Sequence, residues 1–250
     1  MNERLSPPAP DPSPSAGLPS AGLQPSCWQR EEAILAWGRA ALYNFLAAVF
    51  LDPPDERWAD SLRDGGLAEV LALVATADEA KALIAWMACG DAGGWREELA
   101  RAYTRHLVVP GPDYVPPYGS VYRDGPNGPP GTWQGRPTLW GPSSVAVAQA
   151  YREAGLALAP GGPQVPDHIG LELQFMQHLC ACEAGALSRG ENDAAAAWRA
   201  RQAAFLRHHL LPWAPAFCAR LDSEGIHLFY RLIARLTHAF LESEREETEL

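Results

Sequence analysis

Proline divides this chain more sharply than any other residue. Seven of the 23 prolines fall in residues 1–26, and eight fall in residues 108–137, a stretch that also carries six glycines. Proline fixes φ and removes a backbone donor, so neither a helix interior nor a central strand runs through such segments. The remaining prolines stand where helices would end or begin, among them Pro53-Pro54, Pro142, Pro160, Pro166 and Pro212. What lies between the breaks is rich in Ala, Leu and Trp and long enough for helices.

Apolar residues recur there every three or four positions, the signature of an amphipathic helix. Ile34, Trp37, Ala41, Leu42, Phe45, Val49 and Phe50 form one expected core stripe. Ile226, Phe229, Leu232, Ile233, Leu236 and Phe240 form another, with Arg231, Arg235 and His238 turned mostly outward. The pattern places further helices at about 66–76, 78–88, 93–107, 142–155, 167–188, 192–210 and 213–222. Period-two alternation is rare and β-branched residues are scarce, so a sheet has little to be built from. The expected fold is all-α: a single-domain helical bundle with a long Pro/Gly-rich loop. Residues 1–26 read as a disordered Pro-rich tail, because almost nothing apolar is there to offset the entropy of ordering it. Residues 27–241 read as the helical domain, with a functional loop at 108–137, and 242–250 as an acidic C-terminal tail, a solvated helix end.

Charge narrows the function. The 250 residues hold 30 Asp+Glu and 20 Lys+Arg, a formal net charge of −10, and the only lysine is Lys81. Without residues 1–26 and the last ten, 18 basic residues face 23 acidic ones, so half of the acidity belongs to the ends. No basic cluster exists to displace counterions from phosphates, which argues against nucleic acid as the partner. The first residues carry neither an apolar signal core nor paired arginines. The most apolar stretch, Ile34 to Leu51, is interrupted by Arg39 and Asn44, so it is not expected to be embedded in a membrane. Five widely spaced cysteines (Cys27, Cys89, Cys180, Cys182, Cys218) without a CxxC pair read as reduced thiols. A cytoplasmic protein is expected.

Two clusters point to binding. The Pro/Gly loop carries Tyr114, Tyr118, Tyr122 and Trp133, with Trp140 at its exit. Aromatic residues with polar ends favour half-apolar surroundings, and Pro116-Pro117 holds an extended course, so the loop suits a peptide groove. The second cluster is Val165-Pro166-Asp167-His168-Ile169-Gly170-Leu171-Glu172. Pro166 and Asp167 suit a helix start, with Asp167 as its cap, while His168 and Glu172 share one helix face. An imidazole beside two acids at a helix start reads as a proton-sensitive binding group. Catalytic motifs fail. Gly141-Pro142-Ser143-Ser144 is a helix start rather than a nucleophile elbow, Gly125 to Gly131 lacks the lysine of a phosphate loop, and His208-His209 reads as a surface pair. No set of four ligands has the spacing of a structural zinc site.

The order of these clusters resembles the TorD/DmsD/NarJ family of redox-enzyme maturation chaperones, closest to its TorD/DmsD branch. The similarity runs from about residue 30 to 240. It is carried by Tyr103-Thr-Arg-His-Leu-Val-Val-Pro-Gly-Pro112, Pro116-Pro-Tyr-Gly-Ser-Val-Tyr122, Leu139-Trp-Gly-Pro-Ser-Ser144, Tyr151-Arg-Glu-Ala-Gly155 and Pro166-Asp-His-Ile-Gly-Leu-Glu-Leu173. The resemblance implies a non-catalytic cytoplasmic chaperone, monomeric or homodimeric. Its partner would be a molybdoenzyme catalytic subunit, bound by its twin-arginine signal peptide and held before export until molybdopterin guanine dinucleotide is loaded. Molybdenum-cofactor biosynthesis proteins are implied as further partners. No cofactor would stay on the chaperone itself, and weak GTP binding is the family's other reported property. Two other readings stand beside it: a guanine-nucleotide-responsive switch, and a plain helical scaffold without a peptide pocket.

The family's signal-peptide residues fall by position on Tyr103, His106 and Leu107, on Pro117, Tyr118, Ser120 and Tyr122, on Gly141, and on Asp167 and His168; Glu172 joins them as a second acid. His106 stands where leucine is usual and implies a more polar wall. Val165 stands where glutamate is usual.

Overall fold

The structure, a computed structural model, describes residues 4–6, 27–55, 66–89, 92–124, 139–159 and 165–249. In chain order these form β1 (Leu5–Ser6), α1 (Cys27–Leu51), α2 (Gly66–Ala72), α3 (Ala77–Cys89) and α4 (Ala92–Tyr103). A π-helical turn, Thr104–Val108, extends α4 and is followed by α5 (Gly119–Arg123), α6 (Pro142–Glu153) and β2 (Ala157–Leu158). Then come α7 (Ile169–Ser188), α8 (Asn192–Phe205) with a second π-helical turn at Leu206–Leu210, α9 (Ala214–Leu221) and α10 (Leu228–Glu249). The all-α expectation holds. Trp133 and the run Gly125 to Gly131 lie outside the described residues.

The chain groups into two compact units, one of Met1–Ala48 with Tyr118–Leu210, the other of Val49–Pro117 with Leu211–Leu250. In the first, α7 is the central helix and packs chiefly on α8. Its core includes Tyr151, Phe175 and Phe205, whose rings meet at centroid distances of 4.6 to 6.2 Å. The only strands among the described residues are a two-residue antiparallel pair, Leu5 opposite Leu158 and Ser6 opposite Ala157. The Gln174 side chain anchors it by accepting the Arg4 and Leu5 N–H groups, each at 3.1 Å. Arg4 to Ser6 are thus ordered inside the segment expected to be disordered, because a buried carboxamide supplies the acceptor.

The α1 stripe is corrected in its first half. Val49 and Phe50 are buried as expected and Leu42 and Phe45 half-buried, but Ile34, Trp37 and Ala41 are exposed, and Ala33, Ala36, Ala40, Tyr43 and Leu46 are buried instead. Ala33 packs with Ala186, Leu187 and Ala195, so close approach through small side chains, not large apolar ones, seats this helix. Trp28–Leu51 is long and apolar enough to cross a membrane by length and composition, and 44% of its most apolar window is buried inside the fold.

In the second unit, α9 and α10 pack together, with Trp213, Phe217, Phe229 and Tyr230 almost fully buried. Here most of the expected stripe is right: Ile226, Phe229, Leu232, Ile233 and Leu236 are buried, and Phe240 is half-buried. The helix continues through the acidic run to Glu249. Arg231 and Arg235 are not simply turned to water, since both bind Glu79 and Asp222. Glu79 also completes a capping box: its carboxylate accepts the Thr76 N–H at 2.9 Å while Thr76 Oγ1 accepts the Glu79 N–H at 3.3 Å. The Arg235 bond, then the Thr76 bond, hold the Glu79 carboxyl at about 2.

Candidate functional site

The candidate residues fall in both units. In the first, a bridge of extended backbone joins Tyr118 to His168 in antiparallel fashion. The Gly119 N–H donates to the Asp167 carbonyl at 2.8 Å, and the Ser120 N–H donates to Asp167 Oδ2. Two segments 47 residues apart are thereby tied at one point. The Tyr118 and His168 rings meet edge to face, 5.3 Å between centroids at 77°, a favourable aromatic geometry.

Asp167 does not cap its own helix. His168 is the cap of α7, its Nδ1 accepting the Gly170 N–H at 3.1 Å. Asp167 points instead at the start of α5, where an exposed N–H row and the positive helix end favour a carboxylate. Asp167, Ser120, Ser144 and Glu172 are fully buried. Asp167 Oδ1 and the Ser120 and Ser144 hydroxyls reach no hydrogen-bond partner among the described residues. Burial raises the Asp167 carboxyl above its ordinary value, against the pull of the nearby Ser120 and Ser144 groups.

His168 is not a proton-sensitive group near neutral pH. Burial, and secondarily the Arg4 charge, push it down to about 3, so it is a neutral imidazole. Tyr151 supports the cluster from below: its hydroxyl donates to the Pro166 carbonyl at 2.9 Å, and burial raises it well above the ordinary phenol range. Tyr118 and Tyr122 are half-buried, and Leu139, Trp140 and Val145 are exposed.

Gly141 is explained by space. Its φ of −74° suits any residue, but a Cβ there would overlap the Asp124 carboxylate. That carboxylate caps α6 by accepting the Ser143 N–H at 3.0 Å and the Ser143 hydroxyl at 2.7 Å. Gly141→Ala is expected to displace Asp124 and lower stability by about 1 kcal/mol, the usual worth of such a cap, measured by calorimetric unfolding. His208 is exposed, whereas His209 is half-buried on the Phe205 ring, 4.9 Å between centroids. Burial pushes it to about 4, so the expected surface pair is half correct.

In the second unit, Tyr103, His106, Leu107 and Pro117 are buried. The Tyr103 hydroxyl donates to the Phe50 carbonyl at 3.1 Å. His106 is 3% exposed, so it holds its own unit together rather than lining a polar wall. Sequence reasoning passed over Ser144, Asp124 and Tyr151. Ser144 and Tyr151 stand in the family-like segments without a role of their own, and the contacts of Asp124 and Tyr151 reach to residues 15 or more positions away. Among the described residues, no three His, Cys, Asp or Glu side chains are placed to hold a metal ion. Cys180 and Cys218 are buried thiols and Cys182 is a half-buried one, none of them in a disulfide.

A neutral histidine and a buried acid hold a half-buried tyrosine on a helical frame. Comparison with known proteins identifies its class. A model of the nitrate reductase delta subunit family matches residues 71–219. The chaperone protein TorD of Shewanella pealeana is 25% identical over 218 residues, covering 85% of this chain and 91% of its own. The TorD of Vibrio cholerae serotype O1 (strain El Tor Inaba N16961) is 31% identical over 156 residues, 59% of this chain and 61% of its own. The perchlorate reductase assembly chaperone protein of Dechloromonas aromatica is 30% identical over 97 residues, 39% of this chain and 42% of its own. The chain belongs to the nitrate reductase delta subunit family, that of the TorD-type chaperones, and is not an enzyme.

Proposed function

We propose that this chain is a cytoplasmic assembly chaperone for a molybdenum-containing oxidoreductase. It binds the twin-arginine signal peptide of the catalytic subunit and holds the apoprotein until cofactor insertion. Molybdopterin guanine dinucleotide is the client's cofactor, and the chaperone retains none. The names of the relatives support the assembly role, and one of them is an assembly chaperone of perchlorate reductase.

The observation that carries the peptide reading is the Tyr118–His168 bridge locked by Asp167. A guanidinium stacks on an aromatic face, and short apolar stretches pack on such rings. Tyr118 offers that face from a backbone that Asp167 holds still. Asp167 contributes mainly by position and by field, since its carboxyl is wholly buried. The net charge of −10 steers a cationic peptide without setting its register.

Titration calorimetry with the signal peptide of a co-purified client tests this. Tyr118→Ala is expected to weaken binding about tenfold, a typical cost for a lost cation–π or aromatic contact. Asp167→Asn is expected to weaken it as well, with helical content by circular dichroism unchanged in both. Undiminished affinity in Tyr118→Ala removes the assignment.

A further inference from the structure

Arg4 and Leu5 are held on both sides by groups that bind main chain rather than side chains. On one side the Gln174 carboxamide, buried on α7, accepts the Arg4 and Leu5 N–H groups, each at 3.1 Å. On the other side the Ala159 N–H donates to the Arg4 carbonyl at 2.8 Å, and β1 runs antiparallel to β2 with Leu5 opposite Leu158. Side chains alternate along a strand, so Arg4 and Leu5 point to opposite faces. Leu5 is buried and Arg4 half-buried. The Arg4 charge is felt at His168, the ring that packs on Tyr118.

Main-chain bonds of this kind fix the course of a peptide and leave selection to the side-chain positions, as in strand addition to a sheet edge. The two positions here take an arginine and, next to it, an apolar residue. The pairing has no room to grow: Pro7 follows Ser6 and Pro160 follows Ala159, and proline has no N–H to give a ladder. A contact so short is open to exchange, because each hydrogen bond adds little net stability.

We propose that the 157–159 edge and Gln174 form a groove for an extended peptide in which an arginine precedes an apolar residue, and that Arg4 and Leu5 fill this groove from within the chain until such a peptide displaces them. All of these residues belong to the first unit, Met1–Ala48 with Tyr118–Leu210. An occupant tethered to its own groove outcompetes a free peptide through its effective concentration, so weak ligands are screened out. That the displacing peptide is the client's signal peptide rests on the function proposed above; the groove itself does not.

Fluorescence polarisation with a labelled peptide of residues 2–8, Asn-Glu-Arg-Leu-Ser-Pro-Pro, tests the groove without a client. Leu5→Asp in the full chain removes the internal occupant, and this variant is expected to bind the peptide about tenfold more tightly than the unaltered chain does. The same peptide carrying Leu5→Asp should bind neither protein. Adding Gln174→Leu to the variant removes the acceptor of two N–H groups and should weaken binding about tenfold. Leu5→Ser gives the same readings if Leu5→Asp loses helical content by circular dichroism. No binding to the occupant-free variant, equal affinity for it and the unaltered chain, or an affinity unmoved by Gln174→Leu would overturn the groove. The signal peptide of a co-purified client, titrated into the same two proteins, should also gain about tenfold. If residues 2–8 discriminate and the signal peptide does not, the groove is upheld and its occupant is not that peptide.

Discussion

Replacing His168 with asparagine is expected to flatten the acid limb of the stability profile by about 1.4 kcal/mol per pH unit. The reasoning is linkage. In the unfolded chain this imidazole takes a proton near 6.5, whereas in the fold it resists until about 3. Between those values the unfolded state binds one more proton than the native state, so stability falls as pH falls. A depressed pKa gives stability that is complete above 6.5 and lost on the way down to 3.

His209, pushed to about 4, adds to the same limb, reduced by its partial exposure. Asp167 acts in the opposite direction, because its raised carboxyl is relieved by acid. Asparagine is among the best helix caps and can accept the Gly170 N–H without titrating. It gives up the ring contact with Tyr118, about 1 kcal/mol at neutral pH. The two profiles should therefore cross in acid, as read by urea unfolding at a series of pH values from 7 to 4.5. Parallel profiles would mean that another group carries the limb.

The second large effect is expected at Glu183. This carboxylate is fully buried and accepts from Arg199 Nε at 2.8 Å, Gln202 Nε2 at 2.8 Å and Arg39 Nη1 at 3.4 Å. Gln202 passes the network on, accepting from Arg39 Nη2 at 2.7 Å and from the Cys180 thiol at 3.4 Å. One acid therefore joins α1, α7 and α8. Glu183→Ala leaves a guanidinium that is only one-fifth exposed, a buried carboxamide, and Arg199, which is half exposed and can return to water. Breaking a buried pair costs roughly 3–5 kcal/mol, and the exposure of Arg199 places this site near the lower figure. Denaturant unfolding should show a loss of about 3 kcal/mol, with Glu183→Gln losing clearly less. A loss under about 1 kcal/mol would mean that the network is solvated in solution.

Much of the helical framework was legible because it follows local rules. Pro142 begins α6, and the α10 stripe is buried as its spacing requires. Failures arose where packing distance or a remote partner decides. Nothing in the α1 stretch says that its alanines, rather than Ile34 and Trp37, face the core, because that depends on the small residues opposite. Asp167 carried a strong capping preference, yet its partner is the Ser120 amide far back in the chain, and the local cap fell to the next residue. Tyr118, Asp167 and His168 were each legible as candidates. Their union was not, and neither was the burial that makes His168 a neutral structural ring.

The clasp between Asp124 and Ser143, closed over Gly141, makes one carboxylate the joint between the end of α5 and the start of α6. It works like a hasp, because Asp124 reaches Ser143 only across a position without a Cβ. A change at any one of these three residues is therefore felt by the other two.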